Sequence, residues 1–246
     1  MRSILNYHKV SRSVSPFFSC ITPENFETQL RFFKLYYEII EFEEYLKGKN
    51  GVVITFDDGF KNIMDFLPQL IEKYNFKPIV FVVTGYLGKN SGWDVWINRE
   101  EHLNKYEIKK LSSAGVIFGS HTHNHPPLTM IEKDKVHYEL EYSKKFLEDL
   151  IGKEVKYISY PFGRTNKFVT EKAMEIGYKN GFLSIPKKFN NDFNIGRWSV
   201  YSFDNLFIIK KKTEDGGFLS KIEMLKCSAI NRFSFISYYA RFNNSF

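Results

Sequence analysis

Short runs of consecutive apolar residues alternate along this chain with longer stretches in which apolar positions recur every three or four residues. Val52-Val53-Ile54-Thr55-Phe56 and Pro78 to Val83 are of the first kind, and Ile63, Phe66, Leu67, Leu70 and Ile71 follow the second. The first pattern predicts strands buried on both faces, the second amphipathic helices. Strands are expected over 4–7, 52–56, 78–83, 116–119, 157–160, 178–183 and 194–200. Helices are expected over 23–36, 62–74, 105–114, 131–151 and 167–176. Thr22 reads as an N-cap before Pro23, and Gly115, Gly152 and Gly177 each close a helix. Residues 85–103 form a long connection that holds Trp93 and Trp96. Six or seven strand–helix units without a linker or repeat predict a parallel sheet closed, or nearly closed, into a barrel with helices outside. The stretch after Gly217 fits the alternation poorly. The expected division is a barrel over 1–217 and a C-terminal helix or loose tail over 218–246.

Composition narrows the class. The 246 residues are 43% hydrophobic and 26% charged, which excludes a disordered or collagen-like chain. Two cysteines, Cys20 and Cys227, are too few for a disulfide scaffold or a four-cysteine zinc module. Aromatic residues reach 17%, enough for a Phe-built core, and leave room for exposed rings that suit sugar faces. Of the net charge of +7, residues 210–246 supply +4, from seven basic and three acidic side chains. Such an excess can attract phosphate, anionic lipid or nucleic acid. No nucleic-acid-binding motif accompanies it, so a solvated face is the plainer account and no nucleic-acid partner is expected. Met1-Arg2 leads straight into a strand, and no run approaches a membrane span. The cytoplasm is the expected location, with peripheral association with a membrane-linked glycan open.

The chemistry gathers at the C-terminal ends of the strands, which meet at one mouth of a parallel barrel. These ends carry Tyr7-His8, Asp57-Asp58-Gly59, Ser120-His121-Thr122-His123-Asn124-His125 and Tyr160-Pro161-Phe162-Gly163. Two histidines and one carboxylate with open positions form a common catalytic site for zinc or a similar ion. His121, His125 and one of the two aspartates are the candidate ligands. The other aspartate stands where a general base belongs.

Thr55-Phe56-Asp57-Asp58-Gly59 resembles the first signature of the polysaccharide deacetylases, the NodB-homology or carbohydrate esterase family 4 enzymes. His121-Thr122-His123-Asn124-His125 resembles their second signature, and Tyr160-Pro161-Phe162-Gly163 follows at the expected distance. The resemblance covers roughly 1–200. It implies a distorted (β/α)7 barrel. It also implies a metal-dependent hydrolase that removes N-acetyl groups from the amino sugars of a polysaccharide or glycoconjugate. One divalent ion is implied, zinc first, with cobalt, nickel and iron as alternatives. Carried over by position, Asp57 is the catalytic base, and Asp58, His121 and His125 are the metal ligands. His123 is not a ligand in that pattern and packs or hydrogen-bonds nearby. The amide of Phe162 is the implied oxyanion donor. Tyr160 in the same turn, and Trp198 at the acetyl pocket, are grouped with it as substrate-binding candidates.

Two elements depart from the commoner pattern. Ser159 stands where many members carry an arginine that orients the base, and Arg197 is the candidate replacement, with Arg164 a weaker one. No histidine follows His137, so the late histidine that supplies an acid is missing. His8 is the natural substitute, as in the branch that includes the poly-β-1,6-N-acetylglucosamine deacetylases. The rival readings are a non-catalytic carbohydrate-binding relative, another metal hydrolase such as a phosphoesterase, and a basic interaction protein.

Overall fold

The computed structural model describes residues 1–12, 19–91, 100–186, 192–214 and 218–243, and beyond Arg232 only Phe235 with its side chain. Trp93 and Trp96 lie outside the described residues. Strand β1 (Arg2–Tyr7) leads to two short strands, β2 (Lys9–Val10) and β3 (Cys20–Ile21), which pair with each other. Then come α1 (Pro23–Tyr36), α2 (Phe42–Leu46), β4 (Gly51–Phe56), α3 (Leu67–Tyr74) and β5 (Ile79–Val82). Next are α4 (Lys105–Ser113), β6 (Ile117–Ser120), α5 (Lys133–Ile151) and β7 (Tyr157–Ser159). They are followed by α6 (Lys167–Glu175), β8 (Asn180–Leu183), β9 (Asn194–Gly196), β10 (Trp198–Ser199), α7 (Leu206–Thr213) and α8 (Phe218–Asn243).

Eight strands form one parallel sheet in the order β10-β1-β4-β5-β6-β7-β8-β9. Its two edges are neighbours in sequence. Residues 194–196 pair with β8, whereas Trp198 and Ser199 pair with Leu5 and Asn6 of β1. Thus β9 and β10 are two halves of the one strand expected over 194–200, divided at Arg197. Counting them as one passage gives the distorted (β/α)7 barrel, closed at a single seam.

Strands covered on both sides must be apolar on both faces, and every residue of β4 and β5 is buried. Ile4, Val53, Ile79, Phe81, Tyr157 and Phe182 fill the interior. Phe42 of α2 plugs the end where the strands begin, its ring 4.8 Å from that of Phe182 and 5.2 Å from that of Tyr157. Gly119 makes room for Phe81, since a Cβ there would stand 2.5 Å from the Phe81 ring. The alternate residues Leu5, Tyr7, Ile54, Phe56, Val80 and Val82 face the helices in a second apolar layer. Each such side chain contributes about 1.5–3 kcal/mol on burial. One layer nearer the strands' C-terminal ends the interior turns polar, with Asn6, Thr55, Ser159 and Arg197 all buried.

Four elements differ from the periodicity. The helix expected over 62–74 is a 3-10 turn, Lys61–Asp65, followed by α3, because Phe66 leaves helical geometry and Pro68 has no N–H to carry the ladder across. Helices α2 and α7 span five and eight residues, too short for a periodic signal. The stretch expected as a helix or loose tail is α8, docked along the barrel. Ser220, Glu223 and Cys227 on it are buried, and the Asn231 side chain donates to the Ser184 carbonyl at 2.9 Å. Lys212 of α7, fully buried, pairs with Asp204 and lies 3.6 Å from Glu223, while Lys226 of α8 lies 3.0 Å from Asp204.

Candidate metal centre and active site

Asp57 and Asp58 follow β4 directly, so adjacent residues present carboxylates at the barrel mouth. Asp58 Oδ1 lies 3.4 Å from His121 Nε2 and 3.5 Å from His125 Nε2. One ligand atom from each of the three falls within 4.8 Å of the others, and all three residues are buried. The Nδ1–H of His121 donates to the Ser159 carbonyl at 2.7 Å, which turns its Nε2 lone pair toward Asp58. Burial pushes the His125 imidazole down to about 3, with His121 adding to it, so His125 is neutral at pH 7 and able to ligate. For Asp58, burial works against the charged form, but His121 and His125 outweigh it and hold the carboxyl at about 2. Two imidazoles and one carboxylate converging at this spacing are the donor set of a catalytic zinc-type ion.

Arg197 enters from the seam. Its guanidinium grips both oxygens of Asp57, Nη1 to Oδ1 at 2.9 Å and Nη2 to Oδ2 at 2.7 Å. The remaining donors reach Asn6 Oδ1 at 2.9 Å, Thr55 Oγ1 at 3.1 Å, Ser159 Oγ at 2.8 Å and the Leu183 carbonyl at 3.1 Å. The Asn6 amide also donates to Asp57 Oδ2 at 2.9 Å. The guanidinium rests over the rings of Phe81 and Phe182, at 5.2 and 5.5 Å. Burial alone would raise the Asp57 pKa; Arg197, then His121, reverse this and hold it far below the ordinary carboxylate range. With both imidazoles neutral, as ligation requires, two carboxylates against one guanidinium leave a negative charge at the mouth that a bound cation would balance.

The loop that carries the histidines is built by side-chain bonds to its own backbone. Thr122 N–H donates to Ser120 Oγ at 3.0 Å, and His125 N–H donates to Thr122 Oγ1 at 3.0 Å. The Glu139 carboxylate of α5 accepts from His123 N, Asn124 N and Asn124 Nδ2 at 2.8, 2.7 and 2.7 Å. Among the described residues, five other than glycine have positive φ, and four of them are here: Asp58 at 67°, Thr122 at 68°, His125 at 59° and Phe162 at 58°. Left-handed backbone is disfavoured for such residues and clusters where a site demands it.

The sequence profile of the polysaccharide deacetylase family matches residues 45–181. This chain belongs to the polysaccharide deacetylase family. It is 31% identical over 142 residues to the protein YxkH of Bacillus subtilis (strain 168), a match that covers 57% of this chain and 47%, about half, of that relative's length. It is 27% identical over 226 residues to the poly-β-1,6-N-acetyl-D-glucosamine N-deacetylase of Staphylococcus aureus (strain MRSA252), covering 78% of this chain and 76% of the relative. The fold matches that of the Streptococcus pyogenes deacetylase PplD with a TM-score of 0.73, at 23% identity, over 87% of this chain and 98% of that one.

In this deacetylase-family chain Asp57, Asp58, His121, His125 and Arg197 come together. His8, half-buried just past β1, is close enough for its positive form to stabilise both carboxylates. Its Nδ1 is buried and has no hydrogen-bond partner among the described residues. The Phe162 ring lies 4.9 Å from that of His125. His123 stands outside the ligand cluster, its Nδ1 2.9 Å from Thr84 Oγ1 and its ring 4.6 Å from that of Tyr142. Tyr160 and Trp198 sit elsewhere than their grouping with substrate-binding residues requires. Ser159 points inward to Arg197, so Tyr160, the next residue, points outward and is buried against Gly181. Trp198 is in register with outward-facing Leu5 and packs in the same outer layer. Arg164 stacks its guanidinium over Phe235 at 3.7 Å, so Arg197 is the arginine on Asp57.

Three residues escape the motif reading. Asn6 hides inside an apolar run, where only its polarity marks it. Glu139 lies among surface-type charges on α5. His102, fully buried, places Nδ1 2.9 Å from the Asp58 carbonyl oxygen, behind the left-handed turn of that residue. A histidine in a long connection of unknown course gave no sign of this.

Proposed function

We propose that this protein is a metal-dependent hydrolase that removes acetyl groups from the N-acetylated amino sugars of a polysaccharide. The carrying observation is the buried Asp58–His121–His125 cluster beside an aspartate whose two oxygens are fixed by Arg197. Asp58, His121 and His125 would hold a divalent ion, which would supply Lewis acidity to the amide carbonyl and to the attacking water. Asp57 takes the proton from that water as general base. Arg197 keeps Asp57 ionised and aimed, since both its oxygens are held. The amide of Phe162 donates to the developing oxyanion. His8 delivers a proton to the departing amine. The named activity of the Staphylococcus aureus relative supports a β-linked N-acetylglucosamine polymer as the first substrate class to try.

The test is acetate release from poly-β-1,6-N-acetylglucosamine and from chitin oligomers, by protein stripped with chelator and reloaded with zinc, cobalt, nickel or iron. Release that follows the metal, is lost in Asp58→Ala together with the ion, and falls by about 10²–10⁴ in Asp57→Asn with the ion retained would support the reading. A fully active Asp57→Asn variant would sink the mechanism. Glycan binding without acetate release under any metal would favour a carbohydrate-binding relative instead.

A further inference from the structure

Helix α8 is held to the barrel by one side, the side of Ser220, Glu223, Cys227 and Asn231. The opposite side carries Phe218, Ile222, Leu225 and Ala229, spaced four, three and four residues apart and therefore in one row. Phe218 is 77% exposed and Leu225 67%. Neighbouring α7 exposes Phe207, and a surface cavity of about 700 Å³ between α7 and α1 is lined in part by Leu35, Tyr36 and Leu206. An exposed apolar row of this kind marks a contact surface rather than a face turned to water.

Among the described residues of α8, the exposed charges flanking the row are the unpaired cations Lys221 and Arg232, while the exposed Lys210 of α7 shares Glu214. Of the acids among the described residues 206–232, Glu214 is paired with Lys210 and Lys211, and Glu223 is buried. Against a second copy of the same face, these cations would oppose one another. Against lipid phosphates they are complementary, at about 1 kcal/mol per basic residue near an anionic surface. Among the described residues no helix is long and apolar enough to cross a membrane. We propose that the α7–α8 face docks on an anionic lipid bilayer, with the apolar row at the headgroup boundary and the cations on the phosphates. The same helix reaches the barrel mouth, where Phe235 packs 6.0 Å from the Phe162 ring, so one rigid element joins the docking face to the site. The inference is independent of the catalytic reading.

The experiment is flotation of the full chain with vesicles of one part phosphatidylglycerol to two parts phosphatidylcholine, and with phosphatidylcholine alone, at low and high salt. Binding is expected to the anionic vesicles only and to weaken with salt. The pair Phe218→Ser with Leu225→Ser, and separately Lys221→Glu with Arg232→Glu, should each lower binding by about tenfold or more. Leu46→Ser, at an exposed position of α2, should leave it unchanged. Thermal melts check that each variant is folded, and the charge-reversed pair decides if the serine pair is not. Absent or lipid-indifferent binding by the unaltered chain, or binding unmoved by both pairs, overturns the proposal. So does a dimer that Leu225→Ser converts to monomer, which would give the row to a second copy.

Discussion

Asp57 with Arg197 at the barrel mouth, and Asp204 with Lys212 behind β10, are both ion pairs withdrawn from water, yet they are built differently. Arg197 meets Asp57 with two parallel bonds and spends its other donors on β1, β4, β7 and β8. Lys212 meets Asp204 as a point charge, with the Ser199 carbonyl at 2.8 Å and the Tyr201 ring at 4.9 Å. Its charged neighbours Glu223 and Lys226 belong to α8. A planar fork suits a place where the direction of a carboxylate matters, and a rotatable ammonium one where neutrality is enough. Glu139 is a buried acid of another kind, with backbone and amide N–H groups as its donors.

The sharpest break in this comparison is at Arg197. Arg197→Met leaves Asp57 buried beside a second carboxylate, and should cost about 3–5 kcal/mol of stability along with nearly all turnover. Arg197→Lys keeps the charge but not the fork. It should recover most of the melting temperature, while turnover stays down by about 10²-fold or more if Asp57 acts as the proposed base, because its carboxylate is no longer aimed. Equal recovery of melting temperature and turnover would show that charge alone is what Asp57 needs.

At the second pair the signs separate the other way. Lys212→Met should cost about 3–5 kcal/mol in urea unfolding while turnover per folded molecule and metal content are kept. Removing both partners, in Asp204→Leu with Lys212→Met, should bring stability back to within about 1–2 kcal/mol of the starting protein, because Lys226 and Glu223 still pair. Glu139→Ala should loosen the histidine loop and weaken metal affinity about 10–100-fold, read by competition with a chromophoric chelator. Smallest and most selective is His8→Ala. It should depress hydrolysis of the amide more than that of an ester of the same acid, since without a proton donor an alkoxide leaves more readily than the anion of an amine. Equal losses on the two substrates would make His8 a binding group.

How far the sequence carries can be argued from these same residues. Strand ends rich in Asp and His revealed the mouth, because a parallel barrel has one place to collect such residues. Ser159 in the arginine position left a gap that pointed to Arg197. The sides taken by Tyr160 and Trp198 were not legible, since a strand apolar on both faces does not say which residue looks inward. The bond from Ser159 to Arg197 supplies that answer, and only the folded chain contains it. Glu139 and His102 act on backbone atoms, which leave no trace in side-chain spacing. The docking of α8 depends on Asn231, Cys227 and Phe235 finding partners about 30–70 residues earlier in the chain.

The seam at Arg197 also orders events in time. Asn6, Thr55, Asp57, Asp58, His121 and His125 leave the ribosome long before residue 197 does. Until then β1 lacks its neighbour β10, and the carboxylate of Asp57 has no cation to follow it out of water. The interior can therefore dehydrate only once the last strand has been made. Pairing Leu5 with Trp198 closes a loop of almost the whole barrel and is the most non-local pairing in the sheet. A chain stopped short of that residue would hold Asp58, His121 and His125 and still be an open sheet. In this protein the arginine that grips Asp57 is also the latch that lets the vessel shut.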